Sequence, residues 1–166
     1  MRADRQHRGR PGRLLWTTVA LALAVTVVAA QEPGTEDGEW RYQSADAGGT
    51  RFSPVDQIDA GNFNDLEVAW RLKTDSFGNR PEFKLEGTPL MINGVLYTTA
   101  GTRRAVIAIA AKTGELLWMH RMNEGRRGQA SVRQLSGRGV AYWTDGQGDE
   151  RILYMTIGYR LVALDA

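Results

Sequence analysis

The sequence contains no cysteine. That excludes a disulfide framework, a thiolate metal site, a lipid-modified cysteine and covalently attached haem. Also missing are a Ser/His/Asp arrangement, a phosphate-binding glycine loop and a dinucleotide glycine motif. From Trp40 onward there is no convincing helical periodicity. Nor is there a real surplus of positive charge, although the pI near 9.1 suggests one. Residues 1–30 carry Arg2, Arg5, Arg8, Arg10 and Arg13 against Asp4, which leaves the remainder of the chain net acidic. The basicity belongs to the leader, and no nucleic-acid partner is expected. What is present fits a folded protein. The chain has 166 residues, 42% hydrophobic and 24% charged, enough for one domain with a core and too apolar for general disorder.

The leader is Arg-rich up to Arg13 and then uncharged from Leu14 to Ala30. A basic head, an apolar middle and small residues at the exit (Val28 and Ala30) describe a secretory signal peptide cut after Ala30. The alternative is an uncleaved anchor, for which the apolar run is somewhat short of the ~20 residues that span a bilayer. Export without disulfides is consistent with the missing cysteines. Residues 31–39, "QEPGTEDGE", are polar and carry Gly and Pro, so they read as a linker.

Beyond the linker come short runs rich in β-branched and aromatic residues, separated by turn signals. Asn93-Gly94 lies between "TPLMI" and "VLYTTA", and Asn-Gly is the strongest short hairpin signal because both residues accept positive φ. This predicts pairing of 90–92 with 95–99. Thr113-Gly114 similarly predicts pairing of 105–110 with 115–119, with Ile107 and Ile109 buried and Trp118 packing between sheets. Trp40, Trp70 and Trp143 read as further core or interface residues. "GVAYWT" and "RILYMTI" flank "DGQGDE" as another hairpin. Asn62–Leu66 reads as a helical turn leading into a strand through Trp70. His120 reads as a polar residue at a strand end rather than a catalytic base.

The chain also repeats itself. "VLYTTAGTRRAVIAIAA" (95–111) aligns with "ILYMTIGYRLVALDA" (152–166) once two residues are dropped after the glycine. A repeat of this length built from hairpins predicts an all-β fold of propeller blades, each a four-stranded antiparallel sheet that must stack on its neighbours.

Four stretches then resemble a known family, the pyrroloquinoline quinone (PQQ)-dependent dehydrogenases of glucose and alcohol type. "GEWRYQSADAGGTRFSPVDQIDAGNFNDLEVAW" is similar to the family's amino-terminal opening. "AIAAKTGELLW" resembles its blade motif, with Ala110 where Asp is usual. "LEGTPLMINGVLY" and "GRGVAYW" resemble stretches with cofactor contacts. The resemblance implies the front portion of an eight-bladed periplasmic propeller over residues 40–166. It implies that Glu86 approaches the quinone cofactor, that Arg138 pairs with a PQQ carboxylate through its planar fork, and that Thr156 donates a hydroxyl. Alcohol-oxidising members place two adjacent cysteines where this chain has Val132 and Arg133; glucose-type members lack the pair, so the family resemblance stands while its alcohol-type form weakens.

The implied partners are an alcohol or sugar substrate and a quinone or cytochrome electron acceptor, with membrane association only if the leader stays uncleaved. The implied calcium site and catalytic Asp belong to later blades, so no catalytic or metal residue is assigned and this chain alone is expected to be inactive. The chain stops inside a second copy of the blade phrase, which we read as an incomplete copy of a longer protein whose last strand is poorly satisfied. The alternative function is a non-catalytic propeller serving as a binding or assembly scaffold.

Overall fold

The computed structural model describes residues 34–78, 84–135 and 139–166. The leader therefore lies outside the described residues. Two antiparallel sheets dominate. The first contains β1 (Leu90–Ile92), β2 (Val95–Ala100), β3 (Ala105–Ala110) and β4 (Leu116–His120), in the order β1-β2-β3-β4. The second contains β5 (Ala141–Thr144), β6 (Glu150–Met155) and β7 (Leu161–Asp165), in the order β5-β6-β7. Every strand pairs with its sequence neighbour. Such meanders are how one propeller blade is built.

The turns set the register. At the first hairpin Asn93 and Gly94 both have positive φ (50° and 79°), the two-residue turn whose twist matches the flanking strands. Leu90 consequently faces Tyr97, Met91 faces Leu96 and Ile92 faces Val95. Gly114, at φ 74°, returns the chain from β3 to β4, where Ala108 faces Trp118 and the register shifts between Ala108 and Ile109. At the β5–β6 turn the Asp145 carboxylate accepts the backbone N–H groups of Gln147 (2.7 Å) and Asp149 (3.0 Å). These bonds hold its pKa below the ordinary carboxylate value.

Strand β3 is buried on both faces, from Ala105 through Ile109. On one side Val106 and Ala108 join Leu90, Ile92 and Tyr97 against Ile152 and Tyr154 of the second sheet, with Trp40 and Trp118 at the margin. On the other side Ile107 and Ile109 are covered by Trp70, Leu72 and Phe77 from the segment preceding the sheet. Tyr97 and Trp118 meet ring to ring, with centroids 5.9 Å apart.

That covering segment corrects the expected strand through Trp70. A 3-10 turn does form at Phe63–Asp65, but residues 66–74 pair with no neighbour as a strand. They lie over the sheet instead, with the Trp70 indole N–H donating to the Ala111 carbonyl at 2.8 Å. The Trp70 ring also sits where a Cβ on Gly114 would fall, 2.5 Å from the nearest ring atom. Glycine is thus required at 114 by both its φ and its neighbour. Trp143 stands half exposed on β5, outside both apolar clusters. The face of β5 that carries it has no covering element among the described residues. The expected four strands per blade hold for the first sheet, whereas the second has three strands among the described residues. A short helix, α1 (Gly125–Gln129), interrupts the connection between the sheets.

Candidate functional site

Two stretches remote in sequence meet at the edge of this sandwich. Thr88, just before β1, forms a parallel bridge with Gly139, just before β5. Gly87 packs so closely that a Cβ there would lie 3.1 Å from the Gly139 nitrogen. Glycine at both positions lets the two backbones touch. Beside this contact opens a cleft of about 1010 Å³, lined on one side by Lys84 and Glu86 and on the other by residues 131–135, 139–141 and the ends of β6 and β7.

Glu86 is exposed in the cleft and pairs with Lys84 at 3.3 Å. A surface pair of this kind is worth only about 0–1 kcal/mol, so Glu86 can give it up at little cost. Val132 and Arg133 line the opposite wall and are likewise exposed. Arg138 lies outside the described residues. Among the described residues, the cleft wall contains three cationic side chains, Lys84, Arg104 and Arg133, and one carboxylate, that of Glu86, interspersed with Val132, Val140, Leu153 and Leu161. A planar polyanion suits that donor set: cations for its charges, aliphatic groups for its faces.

Arg104 was not anticipated from the sequence. Its guanidinium donates to the carbonyls of Leu135 (3.3 Å), Arg133 (3.3 Å), Met155 (3.3 Å) and Thr156 (3.1 Å). It therefore ties the loop bearing Arg133 to the end of β6, fixing two walls of the cleft from the β2–β3 turn. Nothing in the local pattern of Arg103-Arg104 distinguishes such a clamp from a pair of surface cations.

Thr156 is buried behind the cleft wall and does not line it. Its hydroxyl donates to Glu124 Oε1 at 2.8 Å and accepts the Arg160 N–H at 3.0 Å. Glu124, whose side chain is 1% exposed, also accepts the Gly158 N–H at 2.6 Å and lies 3.7 Å from the Arg160 guanidinium. A hydroxyl has one proton to give, so a cofactor contact donated by Thr156 requires the Glu124 bond to be exchanged. Burial, and after it the Glu124 charge, push the neighbouring Tyr154 phenol above its ordinary pKa, so it stays protonated at neutral pH. His120, partly buried and not itself lining the cleft, meets the Tyr154 ring edge-on at 5.9 Å.

Residues 40–166 match the model of the PQQ family described as glucose/ethanol/alcohol dehydrogenase, beta-propeller domain. The chain belongs to this family. Among its relatives, the dehydrogenase subunit of the quinone-type alcohol dehydrogenase of Gluconobacter oxydans (strain 621H) is 35% identical over 93% of this chain and 21% of its own length. The crystal structure of the quinohemoprotein alcohol dehydrogenase from Comamonas testosteroni superposes with a TM-score of 0.60 at 32% identity, covering 83% of this chain and 18% of that one. A europium-containing methanol dehydrogenase superposes with a TM-score of 0.64 at 26% identity, covering 82% and 22%. The chain thus spans about a fifth of the length of these PQQ-family relatives. A β-propeller architecture of PQQ type accounts for the two stacked meanders and for the face of β3 that meets the second sheet.

Proposed function

We propose that the chain is the amino-terminal part of a periplasmic PQQ-dependent dehydrogenase that oxidises an alcohol or a sugar. The observation that carries this reading is the Thr88–Gly139 bridge, which brings the Glu86 stretch and the 139–141 stretch to one cleft. The resemblance had assigned cofactor contacts to those two stretches separately. The size, cationic wall and aliphatic faces of the cleft fit a flat molecule with three carboxylates.

PQQ, when bound, supplies an ortho-quinone able to take a hydride from the substrate carbon. The chain's own residues bind and orient. Glu86 presents its carboxylate at the cleft mouth. Arg133 and the clamped Arg104 would supply positive potential to the cofactor, and Val132, Val140 and Leu153 would supply apolar contact. Arg138 is proposed, from the resemblance alone, to pair with a carboxylate. Thr156 enters as a cofactor-side hydroxyl only if it releases Glu124. Among the described residues no group of three His, Asp or Glu side chains could hold a calcium ion. The electron acceptor, a quinone or a cytochrome, and export directed by residues 1–30 complete the proposal.

The test is titration of PQQ, with calcium, into the full-length protein and its Glu86→Ala and Glu86→Gln variants by calorimetry. Losing a hydrogen bond to a charged group is expected to weaken binding by about 10–100-fold in the Ala variant. Full-length protein that binds no PQQ would instead favour the non-catalytic scaffold.

A further inference from the structure

The turn from β6 to β7, residues 156–160, contains one glycine, yet its left-handed position is not that glycine. Gly158 has no positive φ; what it provides is room, since a Cβ there would lie 2.6 Å from the Glu124 carboxylate. The positive φ, 63°, falls on Tyr159. A bulky aromatic residue in this region is uncommon, because its Cβ crowds the following carbonyl. Burial gives nothing back in exchange, because Tyr159 is 58% exposed. It lines the cleft instead.

The surroundings over-determine this conformation. Glu124 takes the Thr156 hydroxyl and the Gly158 N–H, and the Tyr159 N–H donates to the Thr156 carbonyl at 3.0 Å. Arg160 N–H returns to the Thr156 hydroxyl, Arg127 Nε donates to the Gly158 carbonyl at 2.5 Å, and Arg104 grips the Thr156 carbonyl. A strained residue held by so many bonds, with its side chain left in a cleft, marks a position kept for function at the expense of stability.

We propose that Tyr159 is a binding residue of the cleft, its ring held by the Glu124-braced turn as a wall against a planar aromatic ligand. This rests on the PQQ reading of the same cleft. Offset ring contact is the interaction such a wall offers a flat conjugated molecule.

The experiment compares the full-length protein with Tyr159→Gly, Tyr159→Phe and Tyr159→Ala, measuring thermal midpoint and PQQ affinity in the presence of calcium. Tyr159→Gly is expected to keep or raise Tm while weakening PQQ binding about tenfold. Tyr159→Phe is expected to bind as the parent does, since it keeps the ring. Tyr159→Ala is expected to lose affinity as the glycine variant does, without the gain in Tm. Parent-like affinity in the glycine variant overturns the proposal, and so does a tenfold loss in the phenylalanine variant. A fall in Tm for Tyr159→Gly with affinity unchanged would assign the ring to packing and overturn it too. If the parent itself binds no PQQ, the cofactor reading fails and this one with it; parent binding with unaffected variants removes Tyr159 alone.

Discussion

Gly94, in the β1–β2 turn, and Gly114, in the β3–β4 turn, both have positive φ (79° and 74°) but differ in what surrounds them. A Cβ at Gly94 meets nothing within 4 Å, whereas one at Gly114 falls 2.5 Å from the Trp70 ring. Alanine at either site incurs the left-handed penalty of about 1–2 kcal/mol. Both variants also share the small gain from a stiffer unfolded chain, roughly 0.4–1 kcal/mol, which cancels in their comparison. Only Gly114→Ala must displace a ring, one anchored at its far edge by the 2.8 Å bond to the Ala111 carbonyl. Overpacking of this kind costs about 1–3 kcal/mol. Gly114→Ala is therefore expected to exceed Gly94→Ala by that amount in denaturant unfolding followed by tryptophan fluorescence. In a Trp70→Ala background the excess should vanish, since the obstacle is gone, and the double-mutant cycle reads the coupling directly. Equal losses for the two glycine variants, or an excess that survives removal of Trp70, would refute the assigned role of Trp70.

Glu124→Ala should destabilise the protein by about 2–4 kcal/mol, because the Gly158 N–H and the Thr156 hydroxyl lose their partner in a buried site; Glu124→Gln should lose less, and denaturant midpoints decide. The Asp145 carboxylate has a folded pKa below its unfolded value, so its stabilisation is complete above about pH 4 and lost as pH falls through the folded pKa. Asp145→Asn should flatten that acid limb of the stability profile, leaving protection of the Gln147 and Asp149 amides unchanged with pH. Arg138→Ala is expected to weaken PQQ binding in the full-length protein by ~2–5 kcal/mol if the pair is desolvated, with Arg138→Lys recovering only part; equal affinities in all three remove Arg138 from the site. Residues 1–30 fused to a reporter should carry it out of the cytoplasm, with cleavage near Ala30 found by amino-terminal sequencing; a retained, uncleaved soluble reporter refutes this.

The hairpins were legible because their determinants are local. Asn93-Gly94 and Thr113-Gly114 dictate backbone angles wherever they occur, and the alternation around them fixes which side chains meet. The Glu86 stretch was legible through resemblance, and its meeting with Gly139 then follows from the fold. Other features depend on distant partners and left no local trace. Leu66–Trp70 has strand-like composition, but the Ala111 carbonyl and Gly114 offer the Trp70 ring a seat over the sheet. Helix α1, "GRRGQ", has two glycines and no apolar face, so no pattern announces it. Arg104, Glu124 and Tyr159 acquire their roles only when segments separated by thirty residues or more converge. The half exposure of Trp143 depends on what covers β5, which its own sequence does not encode.

The strictly sequential strand order has a consequence for the growing polypeptide. Once His120 has left the ribosome, β1 to β4 can pair without waiting for later residues, since each contact is between neighbours. The outward side of that sheet is already served by Trp70, Leu72 and Phe77, which are made first. Its inward side is not. Leu90, Ile92, Tyr97, Val106 and Ala108 lack the cover of Ile152 and Tyr154 until those have been translated, an interval of some seconds at ~5–20 residues per second. During synthesis the nascent chain thus carries a finished sheet with a sticky flank, a natural target for chaperones and the moment at which it is most exposed to aggregation.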